Sequence, residues 1–230
     1  MKIVPAWGRI ALALSMLILA PKALLASTVL HVDVDFLLNE AALIVECEVL
    51  SSEAMWNPGH TYITTFITFK VKDSLKGRAQ SSTITLEFSG GVVGDTRLEV
   101  GSMVYPSVGE AGIYFFENPG ERFVNPLVGW GQGHFRLQKD QLGVERVLTE
   151  SGRPVLGLDM DGALDDTAGT TPAPVNAPFS HGVAKGVKTG KRDDGLEAAM
   201  EKKQFKDALK ARLATLEGKS TPAPGSIHKP

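Results

Sequence analysis

The stretch from Ser107 to Leu137, SVGEAGIYFFENPGERFVNPLVGWGQGHFRL, constrains the fold of this chain more than any other. After Gly109-Glu110 comes Ala111 to Phe116, in which nearly every residue is apolar, the pattern of a short strand covered on both faces. Asn118-Pro119-Gly120 then forces a reversal, because Pro presets one turn dihedral and Gly accepts a positive one. Two short strands flanking these residues read as a β-hairpin. On the return, Gly129, Gly131 and Gly133 alternate with Trp130, Gln132 and His134, so in a strand the three glycines share one face. Such a face lets another backbone or a bulky ring come close and marks the sharp bend of a small barrel. A phosphate-cradling loop needs a helix directly after its glycines, whereas here a further strand, His134 to Leu137, is predicted.

Residues 1–26 predict an export leader. Lys2 and Arg9 form a positive start, Ile10 to Ala20 an apolar core short for a bilayer span, and Leu24-Leu25-Ala26 a small-residue cleavage site. An uncleaved anchor is the alternative. The mature chain then begins near Ser27 and is soluble in the periplasm or outside the cell, with no later segment apolar enough to cross a membrane. The leader carries Lys2, Arg9 and Lys22 and no acid, so its removal takes the formal charge from -2 to -5. An acidic balance speaks against nucleic acid as the partner. The charge is uneven, with nine Lys or Arg against sixteen acids in residues 27–150 and twelve against ten in residues 151–230. A slightly basic tail can therefore lie back on the body or on an acidic partner.

Cys47 is the only cysteine of a chain directed to an oxidising compartment, so no internal disulfide framework supports the fold. Stability has to come from a packed core. Cys47 alternates with Leu43, Val45 and Val49 on one side of a strand, with Glu46 and Glu48 on the other, which puts the thiol on the buried face. Asp33 or Asp35 can cap a short helix through Phe36, Leu37 and Leu38 that ends before a strand from Ala42 to Leu50. As a strand, the same stretch would place His31, Asp33 and Asp35 on one face like metal ligands; the leucines favour the cap. Trp56-Asn57-Pro58-Gly59 makes a turn into a long strand, Thr61 to Lys72, closed by Leu75-Lys76-Gly77. Ile84, Leu86 and Phe88 form a third strand before Gly90-Gly91, Met103 to Tyr105 a short piece, and Val144 to Leu148 a last edge strand. Short strands at this spacing, separated by Gly, Pro and Asn signals, predict a mainly β domain over residues 27–150, a barrel or a sandwich.

Beyond Glu150 the composition changes. Residues 151–192, with Thr171-Pro172-Ala173-Pro174, read as a flexible linker. Asp193 then caps a separate amphipathic helix over residues 193–217, in which Phe205, Leu209, Leu213 and Leu216 form a narrow apolar stripe. That stripe needs a surface to cover, on the barrel or on a partner. Residues 218–230 read as a disordered tail.

The ordered series Ala42-Leu43-Ile44-Val45, Val71 with Leu75-Lys76-Gly77, Gly90-Gly91, Val108-Gly109-Glu110 before Phe115-Phe116, and Gly131-Gln132-Gly133 before Phe135-Arg136-Leu137 resembles a family of exported bacterial proteins of uncharacterised function. The arrangement is also similar to the OB-like barrel of netrin modules and of tissue inhibitors of metalloproteinases. The resemblance spans roughly residues 30–137 and implies a small OB-like antiparallel barrel. Those inhibitors act through an N-terminal cysteine on the protease zinc, and this mature chain begins near Ser27 without one, so that mechanism does not transfer. Where the bacterial family tends to have Ala-Asp and a strand glycine, this chain has Ala41-Ala42 and Cys47.

No nucleophile with a base, carboxylate pair or metal-ligand spacing stands out, so the sequence predicts no catalytic or metal residues and no cofactor. Asp159-Met160-Asp161-Gly162 fails as an EF-type calcium loop, because the register puts Gly157 and Ala168 at the first and last ligand positions. The basic stretch Lys185 to Arg192 has no aromatic residues for stacking on single-stranded nucleic acid. The expectation is an exported non-enzymatic binding or interaction module, its ligand a protein or small molecule of the cell envelope or exterior. An accessory or inhibitor of a secreted protease, and a hydrolase with an unrecognised site, are the alternatives. Binding candidates are Gly109, Glu110, Gln132 and His134, in the loops and strand ends of the shared motifs. A hydrolase or other enzyme gains if Glu110, Gln132 and His134 line one deep cleft with a perturbed ionisable group. Contact with an anionic surface through the basic helix is a further option.

Overall fold

The structure, a computed structural model, describes residues 29–159 and 182–220. The leader, the Thr171 to Pro174 stretch, most of the acidic turn after Asp159 and the last ten residues lie outside the described residues. Asp33 takes up an extended conformation and its Oδ1 accepts from Phe36 N at 2.6 Å, starting helix α1, Val34–Glu40. The other end of α1 is held by Lys76, whose Nζ donates to the carbonyls of Leu38 and Asn39, placing a cation on the negative end of the helix. Gly77 follows at a φ of +71°, and a Cβ there would run into the carbonyl of Ala42. The Leu75-Lys76-Gly77 motif is thus a joint between strand and helix.

Strand β1, Leu43–Trp56, pairs along its whole length with β2, Ile63–Lys76, and along its first half with β6, Ala111–Phe116. Strands β3 (Thr83–Ser89), β4 (Gly91–Val93) and β5 (Thr96–Leu98) precede β6, and β7 (His134–Lys139) and β8 (Glu145–Thr149) follow it. Six of these form one antiparallel sheet in the order β3-β2-β1-β6-β7-β8. The fold is mainly β. Among the described residues β3 and β8 are not paired with each other, so the six strands do not close into the barrel that the sequence suggests. Register shifts at three places in the β1–β2 ladder bend the long ribbon without that closure.

Both faces of the sheet are buried, which explains the continuous apolar run of β6. On one face Leu43, Val45, Cys47 and Val49 pack with Ile67, Phe69, Phe88, Tyr114 and Phe116, joined by Met103, Tyr105 and Leu127 from loops. On the other, Ile44, Ile113, Phe115, Phe135, Leu137 and Val147 are covered by Leu37 and Leu38 of α1 and by Phe205, Leu209 and Leu213 of helix α2, Lys202–Ser220. The apolar stripe of the C-terminal helix therefore docks on its own sheet. Within residues 151–192, β9 (Val155–Leu158) and β10 (Val187–Thr189) pair as a ribbon, and Val155 and Ala184 enter the same core.

Several local expectations change. Trp130–Gly133 is a 3-10 helix, because Gly129 and Trp130 both take positive φ, 62° and 60°, and strand geometry resumes only at His134. Asn118-Pro119-Gly120 does turn the chain, with Glu121 N donating to Asn118 O at 3.0 Å, but the return strand starts fourteen residues after that turn rather than beside it. Met103 to Tyr105 forms no strand and serves as packing for the first core. Asp193 does not cap α2, which starts at Lys202 after Met200 N has bonded to Val155 O at 2.7 Å.

Candidate functional site

Glu110 lies one residue before β6, where the chain clamps onto β1. Gly109 N donates to Val49 O, and Val49 N donates to Glu110 O, both at 2.9 Å. The β6–β7 register sets Tyr114 opposite His134 and Gly112 opposite Arg136, so Glu110, Tyr114, His134 and Arg136 share one face. Gly112 makes the room. A Cβ there would stand 2.8 Å from both the Tyr114 ring and the carbonyl of Phe135.

Glu110 Oε1 receives the Tyr114 hydroxyl at 3.2 Å and His134 Nε2 at 2.7 Å. A carboxylate only accepts, so Nε2 carries the proton, and Nδ1 of the same ring is buried with no partner among the described residues. Arg136 Nε sits 3.3 Å from Glu110 Oε2, close enough for charge attraction but not aligned for a hydrogen bond. The His134 ring stacks on Tyr114 at 4.7 Å, and Tyr114 stacks in turn on Phe116. Burial alone pushes the Glu110 carboxyl up, but the His134 hydrogen bond and charge, with Arg136 and Tyr114, outweigh it and hold the group below the usual carboxylate range. Burial and the Glu110 charge push the Tyr114 hydroxyl far up, which makes it a fixed donor.

Two of the four predicted site residues are therefore joined. Gly109 neighbours them as a turn former, with φ +82° and open space around it. Gln132 is elsewhere: its Oε1 accepts from Val32 N at 3.0 Å, and its Nε2 donates to Leu30 O at 2.8 Å and Gly129 O at 3.0 Å. It ties the segment before α1 to the 3-10 turn. Over Glu110 and Arg136 lies a pocket of about 340 Å³, walled by Ser107, Gly109 and Gln138 and open to solvent. A Glu–His pair can activate a nucleophile only within hydrogen-bond reach. Among the described residues the one hydroxyl bonded to this pair is that of Tyr114, and the Cys47 thiol is fully buried, its pKa pushed up to about 12 by burial. Among the described residues no three His, Cys, Asp or Glu side chains converge as a metal site.

A second polar cluster carries no local signal in the sequence. Glu46, on the strand side taken as solvent-facing, is buried and accepts from Lys202 Nζ at 2.9 Å and Lys206 Nζ at 2.6 Å of α2. Lys206 also meets Asp73, and Lys202 meets Glu145. Burial pushes Glu46 up, yet the two lysines pull its carboxyl below the usual range. The partners lie 156 and 160 residues away in sequence, so no local pattern signals them. Among the described residues no helix is long and apolar enough to cross a membrane. Comparison with family models, curated proteins and solved structures gave no match.

Proposed function

We propose that the protein is an exported, non-enzymatic binding module. The observation that carries this reading is the self-closure of the Glu110–His134 pair. The imidazole is 2% exposed, its proton is committed to Glu110, and among the described residues no nucleophilic hydroxyl or thiol other than the Tyr114 donor is bonded to the pair. A polar cluster of this kind fixes β6, β7 and the 107–110 loop in register, which is the job of a scaffold that presents loops. Export rests on the leader pattern of residues 1–26.

The test has two arms. The folded chain is treated with a fluorophosphonate and with an iodoacetamide probe, and neither is expected to label it. Labelling that disappears in His134→Gln would make the protein a hydrolase instead. In the second arm, a fusion of residues 1–40 to a reporter active only outside the cytoplasm is compared with residues 27–40 alone. Signal from the first and none from the second is expected; equal signals remove export from the reading.

A further inference from the structure

Strand β3 is one edge of the six-stranded sheet, and its hydrogen-bonding pattern can be followed residue by residue. Gly90 N donates to Ile63 O, and Val71 N donates to Ser82 O. Both bonds belong to the ladder in which even-numbered residues of β3 face β2, so the backbone groups of Thr83, Thr85, Glu87 and Ser89 point away from the sheet. The outer bonds confirm the parity. Ser89 N donates to Val124 O at 3.0 Å, and Thr83 N and O are both taken by the Ser81 hydroxyl. Thr85 and Glu87 lie between these two closures, and their backbone N–H and C=O groups have no partner among the described residues.

At the Thr85 end of this free stretch the chain opens a cleft. The 118–124 segment runs against β3 at Ser89 and through Arg122, whose guanidinium bonds the Glu87 side chain, and then diverges toward the Asn118 turn. Between that turn and Thr83–Thr85 lies a cavity of about 530 Å³ floored by Leu43 and Ile84. The one charged residue on its wall is Arg78, exposed and without an ion-pair or hydrogen-bond partner among the described residues. Edge strands are normally blocked by bulges, charges or covering segments. Here the protein blocks both ends and leaves the middle open, next to an apolar floor and an unmatched cation.

We infer that this cleft binds an extended peptide segment of another protein, which adds to β3 through the backbone groups of Thr85 and Glu87 and places an acidic side chain on Arg78. Main-chain pairing with both residues supplies up to four hydrogen bonds that are indifferent to sequence, while the apolar floor and Arg78 read side chains, the division of labour of strand addition. The cleft sits in the size range of ordinary ligand sites, enough for a few residues and not for a folded domain. The inference rests on the binding-module reading and gives that reading a partner class and a location.

The experiment selects a displayed library of random nonapeptides on the full mature chain, then measures enriched peptides against two variants. Arg78→Gln removes the cation from an exposed loop. Thr85→Pro removes an N–H that faces away from β2, so the ladder is kept and Pro is tolerated as on other edges. Enriched sequences are expected to carry Asp or Glu within a strand-forming stretch, to slow amide exchange at Thr85 and Glu87, and to lose about tenfold in affinity with either substitution. No enrichment overturns the inference. So do enriched peptides indifferent to both variants, though these leave a binding module that uses another face. A chain that sediments as a dimer, returned to monomer by Thr85→Pro without any enriched peptide, would assign the edge to a second copy and overturn the inference as well.

Discussion

At the scale of single residues, the polar group around Glu110 makes a specific demand on pH. The folded carboxyl lies below its ordinary value, so the unfolded chain binds more protons than the folded one as acid is added. Its contribution is fully present above the unfolded value of about 4.3 and is lost as pH falls through that value and the folded one. His134→Phe keeps a ring against Tyr114, removes the partnerless Nδ1 and takes away the strongest partner of Glu110. The expected outcome is a loss of about 1–3 kcal/mol at pH 7 in urea unfolding, shrinking toward pH 4 as Glu110 protonates. A loss of equal size at both pH values would show that shape, not the carboxylate, is what His134 provides. Gly112→Ala tests the space beside it and should cost about 1–3 kcal/mol by overpacking the Tyr114 ring. Local sequence rules reach some of these residues and miss others. The Asp33 cap and the Cys47 face follow from local rules and appear as expected. Strand alternation puts Gln132 and His134 on one face, and the positive φ of Gly129 and Trp130 turns the two residues to different tasks.

At the scale of elements, helix α2 shows why the rest was illegible. Its stripe of Phe205, Leu209, Leu213 and Leu216 marks an apolar face, but the surface it covers is built from strands reaching back to Ile44. The paired charges were equally hidden. Glu46 alternates with buried residues like any solvent-facing strand acid, and only the helix laid over it makes it buried. Arg212 adds a bidentate pair with Asp35 of α1, tying the two helices together. These ion pairs make docking sensitive at both ends of the pH scale. Glu46 and Asp73 are held low, so their contribution fades as acid approaches their ordinary range; Lys202 and Lys206 are held high, so theirs fades as pH rises above about 10.4. Glu46→Gln is expected to cost about 1–2 kcal/mol, less than a fully buried pair, because both lysines are partly exposed and keep Asp73 and Glu145. Phe205→Ala, which empties a fully buried site against Phe135, is expected to cost about 3–5 kcal/mol. If thermal denaturation ranks Glu46→Gln as the more damaging of the two, the helix is held by charge and not by packing.

At the scale of the whole molecule, the composition changes at Glu150, yet the core runs across that point. Val155, Phe205, Leu209 and Leu213 all come from beyond that point and close the core over Ile113, Phe115, Phe135 and Val147. Burying four large apolar side chains is worth roughly 1.5–3 kcal/mol each, or about 6–12 kcal/mol together, which is the size of a typical domain's entire stability. The same segment completes the β8 side of the sheet, where Val147 N donates to Met200 O and Thr149 N donates to Arg153 O. Cutting the chain after Glu150 would also leave Glu46 without its two lysines. A fragment of residues 27–150 is therefore expected to keep β structure by far-ultraviolet dichroism, to bind a hydrophobic dye, and to melt without a sharp transition. Such a fragment cannot be used to ask whether a partner prefers body or tail, since a lost partner would report only a lost fold. Point substitutions on a surface the core does not need, such as Arg78→Gln, are the sound alternative. A cooperative melt of the fragment near the midpoint of the full chain would reverse this conclusion, making the β9–β10 ribbon and α2 accessories laid on an independent sheet.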